Sequence, residues 1–383
     1  MSQKTLEIGF YIKWDKFSLS QKHTNVIGDE LLAESLTKAI NNLYPHIHAQ
    51  TYAPNFLPTK PLDIMIYLNE VEELLPIANK NIFYFQNGFP DEKSHFPTQY
   101  LNQHFNALLC FSQKILDVFG SEVNMPSLYL PFGVDTEVFS PQDPISQDSP
   151  HYEQAKLYQC DVAYVGNDIK GEEATMRYLY PALEFDFGLF GNWRIPRSRF
   201  KIWKNFKQLA PYKKPFERIS RGKIPQEWVP YLYSQAKINL NCTLPSCIEW
   251  DVITLRTLEV LACKGFLISD KVPSAMKDLK DDMVFTDGYD DLKDKIRYYI
   301  DNPSKAKQIA QNGYNYVIAR QRLSKFFRTG AYMKVIFVNP PFVKNSQSNA
   351  SNNFTIAPSF IDKLRTPSTY RNIKGGGGGY IIT

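Results

Sequence analysis

The stretch DVITLRTLEVLACKGFLISD, residues 251–270, decides the fold. Its first half places apolar residues at helical spacing over 254–263, and its second half, GFLISD at 265–270, is a short apolar run that predicts a buried strand. A helix that leads directly into such a strand is typical of β-α-β units, in which crossover helices join parallel strands. Because ligands bind beyond the carboxyl ends of the strands in open α/β sheets, the residues that follow each strand are the first candidates for a site.

The same alternation continues on both sides of this stretch. In the C-terminal half it predicts strands over 160–167, 185–191, 237–242, 265–270 and 283–287, and helices over 174–183, 228–236, 254–263, 290–300 and 304–321. In the N-terminal half it predicts strands over 6–12, 63–68, 81–86, 107–112 and 127–132, with a helix over 27–43. We therefore predict an α/β protein with two Rossmann-like β/α/β domains that face a cleft.

The length of 383 residues also favours two domains. We place the N-terminal domain at 1–140, a linker rich in Pro, Ser, Gln and Asp at 141–158, and the C-terminal domain at 159–332. Residues 333–383 contain five consecutive glycines, which predict a flexible tail. The start of this tail, MKVIFVNPPF, resembles the first strand of a cobalamin-binding domain and implies at most a fragment of one.

Composition excludes several classes of protein. With 43% hydrophobic and 22% charged residues, the chain is not collagen-like, coiled-coil or mostly disordered. It shows neither a secretory signal pattern nor an apolar run long enough to span a membrane, so we expect a cytoplasmic protein. Of the five cysteines, only Cys242 and Cys247 are close in sequence, and no histidines lie nearby. We therefore predict neither a metal site nor a cofactor, and we interpret Asp290 and Asp291 as the cap and first turn of a helix.

Charge is concentrated in one segment. The formal net charge of +5 is too small to indicate a nucleic-acid partner, but residues 194–223 contain eleven Lys and Arg residues and the single acid Glu217. Such a segment attracts phosphate, acidic acceptors or anionic lipid head groups, the last of which implies peripheral membrane contact. An equally weighted interpretation is a solvated helix whose aromatic residues Phe200, Trp203 and Phe206 face the core.

Four strand ends carry residue types suited to a phosphorylated ligand. Gly166 and Gly191 follow strands and allow the backbone to approach a ligand, although such glycines also make ordinary turns. Arg221 and Lys223 are paired cations that suit a diphosphate, or else lie in a solvent-facing turn. Glu259 can accept hydrogen bonds from both hydroxyls of a ribose, or else is a solvated helical residue.

Two loops of the N-terminal half are candidates for an acceptor site. His23 and Asn25 precede the first helix, and Asn87 follows another strand end. His23 as a general base is one hypothesis, and a solvent-exposed loop histidine is the alternative.

Four segments together resemble a known family. They are PFGVDTEVFSP (131–141), the VGN strand end (165–167), ISRGKIPQEWVPYLYSQAKINLN (219–241) and RTLEVLACKGFLISD (256–270). In this order they resemble the group-1 glycosyltransferases of the two-domain GT-B fold, and most closely the CgeB-like branch, known as spore maturation proteins. The resemblance covers about residues 5–329.

The resemblance assigns roles to residues. Asp251 and Glu259 occupy the acid-x7-acid positions, and Glu259 would meet the donor ribose. Three departures accompany it: Val252, Ile253 and Thr254 stand where the family usually has glycine, Lys264 replaces another glycine, and the first acid is Asp251 rather than the longer Glu. The implied donor-binding residues are Gly166, Asn167, Gly191, Ile224, Asp251, Val252, Ile253, Thr254 and Glu259. The catalytic candidates are Arg221, Lys223 and His23, and the cleft and acceptor candidates are Asn25, Asn87, Gly133 and Asp135.

The function implied is that of a metal-independent, retaining glycosyltransferase. It would move a sugar from a nucleotide diphosphate sugar to an unidentified glycan, protein or small-molecule acceptor, and it would orient the acceptor and stabilise the departing phosphate. Three alternatives stay open: a non-catalytic nucleotide-sugar-binding protein, a bilobal solute-binding protein and a sugar-nucleotide epimerase of the same fold.

Overall fold

The computed structural model describes residues 5–17, 28–86, 96–195 and 211–320. The chain divides into two compact units, and among the described residues the first ends at Pro131 and the second begins at Phe132. Each unit is built on one sheet whose strands are all parallel. The predicted α/β class with two Rossmann-like domains is confirmed.

The first unit contains a six-stranded sheet in the order β2-β1-β3-β4-β5-β6. The strands are β1 (Leu6–Tyr11), β2 (Ile47–Tyr52), β3 (Leu62–Tyr67), β4 (Ala78–Phe85), β5 (Ala107–Cys110) and β6 (Ser127–Tyr129), and the helices are α1 (Gly28–Leu43), α2 (Thr98–His104) and α3 (Gln113–Phe119). The central strand β3 is buried along nearly its whole length, because a parallel sheet has both faces covered. Its sequence is therefore a continuous apolar run rather than an alternating one.

The second unit contains a five-stranded sheet in the order β11-β10-β9-β7-β8. The strands are β7 (Val162–Val165), β8 (Phe187–Phe190), β9 (Ile238–Asn241), β10 (Leu267–Ser269) and β11 (Val284–Phe285). The helices are α4 (Tyr152–Lys156), α5 (Glu172–Tyr178), α6 (Lys213–Ile219), α7 (Val229–Gln235), α8 (Pro245–Glu249), α9 (Leu255–Ala262), α10 (Pro273–Asp278), α11 (Tyr289–Asp301) and α12 (Pro303–Arg320). Alternate residues of β7 face different clusters: Val162 and Tyr164 join one, and Ala163 joins the other. Both faces of this sheet are therefore covered.

Residues 141–158 contact the second unit. The Gln142 backbone N–H donates a hydrogen bond to Ser234 Oγ at 3.0 Å. Ala155 and Tyr158 are buried and pack with Tyr231 of α7. Much of the segment for which the sequence predicts a linker is thus held against this unit.

Several predictions fall on residues that are not described. They concern His23, Asn25, Asn87, residues 196–210 of the basic segment 194–223 and the tail 333–383. Within the described ranges, no helix combines the length and the apolar character that crossing a membrane requires.

Candidate functional site

The carboxyl ends of β7, β9 and β10 meet at one edge of the second sheet. Gly166 directly follows β7, Thr243 is the second residue after β9, and Asp270 directly follows β10. Helix α9 begins at Leu255, and all eight of its residues are buried. Ligands of parallel α/β sheets bind at this kind of edge, so the side chains gathered there form the candidate site.

Gly166 brings the backbone against a charged side chain. A Cβ atom at this position would lie 2.7 Å from Arg256 Nη2 and 2.9 Å from Tyr164 Oη. The Gly166 carbonyl accepts a hydrogen bond from Trp193 Nε1 at 2.8 Å, which fixes the peptide. No larger residue fits here unless Arg256 moves.

Asn167 and Gly191 join the ends of β7 and β8. Gly191 has φ +133°, and a Cβ atom on it would lie 2.2 Å from the Gly166 carbonyl oxygen, so this close approach requires glycine. Asn167 Oδ1 accepts a hydrogen bond from the Asn192 backbone N–H at 2.9 Å. Three predicted donor-side residues are thus in mutual contact.

Glu259 lies in the last turn of α9, and only 5% of its surface is exposed. Burial raises the pKa of its carboxyl group to about 7, although the nearby charge of Arg256 works in the opposite direction. Its carboxylate makes no hydrogen bond to another described residue. A carboxylate that is removed from water without a partner is suited to receive the hydroxyl groups of a ligand.

Arg256 lies one helical turn before Glu259 and is 2% exposed. Its Nη1 donates a hydrogen bond to Asn241 Oδ1 at 3.0 Å, and its guanidinium carbon lies 4.9 Å from the centroid of the Tyr164 ring. Its Nε and Nη2 atoms, like Tyr164 Oη, have no hydrogen-bond partner among the described residues. The sequence interpretation missed this residue, and an arginine within an otherwise buried helix pattern is the signal that was available.

Lys170 is another cation of the site, and it was also missed. It is 8% exposed, and its ammonium group makes no hydrogen bond or ion pair within the described part of the chain. Burial, followed by the charge of Arg256, lowers the pKa of this amine to about 8. The available signal was a Lys-Gly pair immediately before α5, after the VGN strand end.

Both carboxylate oxygens of Asp270 accept hydrogen bonds from neighbouring residues of the fold. One carboxylate oxygen accepts hydrogen bonds from Thr243 Oγ1 at 2.6 Å and Ser269 Oγ at 3.1 Å, and the other accepts one from the Thr243 backbone N–H. Burial raises the pKa of Asp270, while these hydrogen bonds oppose the shift. The network joins the ends of β9 and β10, and the charge of Lys170 acts on its carboxylate.

The first predicted acid has a protein partner. Asp251 adopts φ +57°, and its carboxylate accepts hydrogen bonds from Ser274 N–H at 2.7 Å and Ser274 Oγ at 2.6 Å at the start of α10. Val252 and Thr254 are buried in the segment that leads into α9, with Ile253 between them. These contacts fix the approach to the first amides of that helix.

Arg221 and its neighbours lie along the edge strand β8. The Arg221 guanidinium donates to the carbonyls of Leu157 and Gln159 at 3.2 and 2.8 Å, and to Asp186 at 3.1 Å. Burial lowers the pKa of Lys223. Ile224 packs beside Tyr158 and Tyr231, and Asp135 closes a turn two residues after Gly133 by accepting a hydrogen bond from the Glu137 backbone N–H at 2.9 Å.

The comparisons with known proteins agree with this geometry. Residues 177–329, which include Lys223, Asp251, Arg256 and Glu259, match the family model described as Glycosyl transferase-like. These residues form a glycosyltransferase-like domain. No curated protein matches the sequence of this enzyme.

Solved structures place the enzyme in the GT-B fold. Sucrose-phosphate synthase from Thermosynechococcus elongatus is 12% identical with a TM-score of 0.57, over 87% of this chain and 99% of that one. Anabaena HepE, in complex with UDP and glucose, is 13% identical with a TM-score of 0.52, over 86% and 99%. The phage T4 enzyme BGT, in complex with UDP-glucose, is 15% identical with a TM-score of 0.54, over 87% and 100%. The expected GT-B fold is confirmed.

Proposed function

We propose that this enzyme transfers a sugar from a nucleoside diphosphate donor, a UDP-sugar first among the candidates, to an acceptor that is not yet identified. The observation that carries the proposal is the buried ammonium group of Lys170, which has no anionic hydrogen-bond partner among the described residues and lies at the same strand edge as Gly166. A desolvated cation gains most from an anion that displaces the remaining water, and a diphosphate is such an anion. Two of the structural neighbours are in complex with UDP or UDP-glucose, which supports a uridine donor.

The remaining groups of the site suit the other parts of such a donor. Gly166 lets backbone amides approach the phosphates, and the first amides of α9 lie after Thr254. The Glu259 carboxylate has the capacity to accept hydrogen bonds from both ribose hydroxyls. We assign the ribose to Glu259 and the phosphates to Lys170 and Gly166, and we keep Arg221 or Lys223 as assisting cations.

The transfer reaction then requires little covalent chemistry from the side chains of the protein. The bond between the anomeric carbon and the diphosphate oxygen breaks with its electron pair on that oxygen. The acceptor hydroxyl oxygen bonds to the anomeric carbon, and its proton leaves with the diphosphate. Cations that are already in place stabilise the developing charge, which supports a metal-independent reaction, and retention of configuration is part of the proposal.

A ligand screen followed by one variant pair tests this function. UDP and UDP-glucose at about 100 times their dissociation constants should stabilise the folded enzyme by about 2.7 kcal/mol, visible as a rise in Tm. Lys170→Met should abolish this rise, whereas Lys277→Met, on the exposed face of α10, should leave it unchanged. Slow release of UDP from UDP-glucose, lost in Glu259→Ala, distinguishes the enzyme from a non-catalytic binding protein.

Two outcomes would contradict the proposal. Folded wild-type protein that no nucleoside diphosphate or nucleotide sugar stabilises would have no donor site. Conversion of UDP-glucose to another UDP-sugar without an acceptor would instead identify an epimerase of the same fold.

A further inference from the structure

The guanidinium group of Arg256 is held in place on one side and unpartnered on the other. Nη1 is fixed by Asn241 Oδ1 at 3.0 Å, and the group lies over the face of the Tyr164 ring. Nε and Nη2, which form the opposite edge, are buried and have no hydrogen-bond partner among the described residues. Two parallel N–H donors on one edge are the arrangement with which arginine binds phosphate or carboxylate in a two-pronged manner.

No group in the described part of the chain satisfies this edge. Glu259, one turn further along α9, contributes charge but no hydrogen bond to Arg256, and Tyr164 Oη likewise has no partner among the described residues. Lys170 repels the guanidinium group. Leaving buried donors unpaired destabilises a fold, so such an arrangement is expected where a ligand completes it.

The loop 166–171 begins against this edge. Gly166 lies against Nη2, and any side chain at that position would collide with it. Gly171, at the other end of the loop, has φ +85° and open space around its Cβ position. The same loop carries Lys170, so Nε and Nη2 of Arg256 and the Lys170 ammonium belong to the same strand edge.

We propose that Nε and Nη2 of Arg256 bind the diphosphate of the donor side-on, so that helix α9 supplies the second cation of the site; the inference rests on the proposed function. It differs from the expectation drawn from the sequence, in which Arg221 or Lys223 fills this role. The Arg221 guanidinium already donates to two carbonyls and to Asp186. Arg256, in contrast, has two N–H donor groups, Nε and Nη2, that no described residue accepts.

Affinities for UDP, inorganic pyrophosphate and uridine, measured by calorimetry, test this assignment. Arg256→Met should weaken binding of UDP and pyrophosphate at least tenfold, about 1.4 kcal/mol, and leave uridine affinity unchanged. Arg256→Lys should also bind UDP more weakly than wild type, because lysine lacks the two-pronged edge. The control Arg297→Gln, an exposed arginine of α11 that pairs with Glu184 at 3.3 Å, should bind all three as wild type does.

The outcomes separate this inference from the proposed function. If wild type binds UDP and a folded Arg256 variant binds it within twofold as tightly, the assignment of Arg256 is wrong while the function stands. If UDP and uridine affinities fall together in Arg256→Lys, the role of Arg256 is structural. If wild type binds neither UDP nor pyrophosphate, both proposals fail.

Discussion

Each unit buries a carboxylate near the carboxyl ends of its parallel strands, and the two differ in their partners. In the first unit Asp29 is 6% exposed and accepts hydrogen bonds from Gln86 Nε2 at 3.1 Å and Asn69 Nδ2 at 3.0 Å. In the second unit Glu259 is equally buried and has no hydrogen bond to a described residue. Burial alone therefore does not distinguish a structural acid from a candidate ligand-binding one.

The difference follows from how the surrounding groups are arranged. Around Asp29, two amides that follow β4 and β3 turn toward the carboxylate, so the fold completes its own polar cluster. Around Glu259, the neighbouring Arg256 has two buried donors, Nε and Nη2, that lack a hydrogen-bond partner among the described residues. We infer that the first cluster holds the fold together and the second is completed by a ligand, at a loss of stability when the site is empty.

The largest expected effect concerns the pH dependence of stability in Glu259→Gln. Burial raises the pKa of Glu259 from 4.5 to about 7, so the protonated form is favoured in the folded state. The stability that this group contributes is complete below about pH 4.5 and is lost as pH rises through 7. The free energy of unfolding of wild type relative to Glu259→Gln should therefore fall by about 3 kcal/mol between pH 4.5 and 8.

Chemical denaturation of both proteins at each pH measures this difference. The comparison with the variant removes the contribution of Lys170, whose lowered pKa gives the opposite trend at higher pH. Parallel stability curves across the range would show that Glu259 has a partner in solution and would remove the contrast with Asp29.

A smaller effect is expected on the first unit. Asp29→Ala should lower the free energy of unfolding by about 2 kcal/mol at neutral pH, because the buried Gln86 amide and the partly buried Asn69 amide lose an acceptor. Asp29→Asn retains one acceptor oxygen and should lose less. Denaturant titrations followed by circular dichroism check both variants, and a fully stable Asp29→Ala protein would contradict a structural role.

The sequence predicted the sheets well because parallel strands that are buried on both faces appear as short, continuous apolar runs. The runs at 63–68 and 107–112 correspond to β3 (Leu62–Tyr67) and β5 (Ala107–Cys110). The boundaries are less accurate where a strand is short. The predicted strand 283–287, for example, contributes only Val284 and Phe285 to the sheet edge.

The polar side chains of the site were harder to predict. In α9 the spacing of Leu258 and Leu261 indicates one apolar face, and Arg256 and Glu259 then look like the solvated face. The structure buries the whole helix, because α12 and the sheet cover the remaining sides. Lys170 was missed for the same reason: the burial of a single lysine depends on packing between segments that are distant in sequence.

The smallest expected effect tests whether the contrast between Asp29 and Glu259 arises from their hydrogen-bond partners or from the unit in which each acid lies. It concerns an acid of the second unit that has hydrogen-bond partners. Asp291, in the first turn of α11, accepts hydrogen bonds from Lys295 Nζ at 2.6 Å, Thr286 Oγ1 at 2.7 Å and Asp287 N–H at 2.9 Å. Burial opposes ionisation, but these bonds dominate and lower its pKa from 3.8 to about 2. Its contribution to stability is therefore present above about pH 4 and is lost as pH falls toward 2, the reverse of the trend for Glu259.

Because the Asp291 side chain is 39% exposed, solvent screening reduces the expected advantage of wild type over Asp291→Asn to about 1 kcal/mol at pH 6. Denaturation at pH 2.5 and pH 6 measures it. If Asp291→Asn followed the same pH trend as Glu259→Gln, the contrast would belong to the unit rather than to the missing partners.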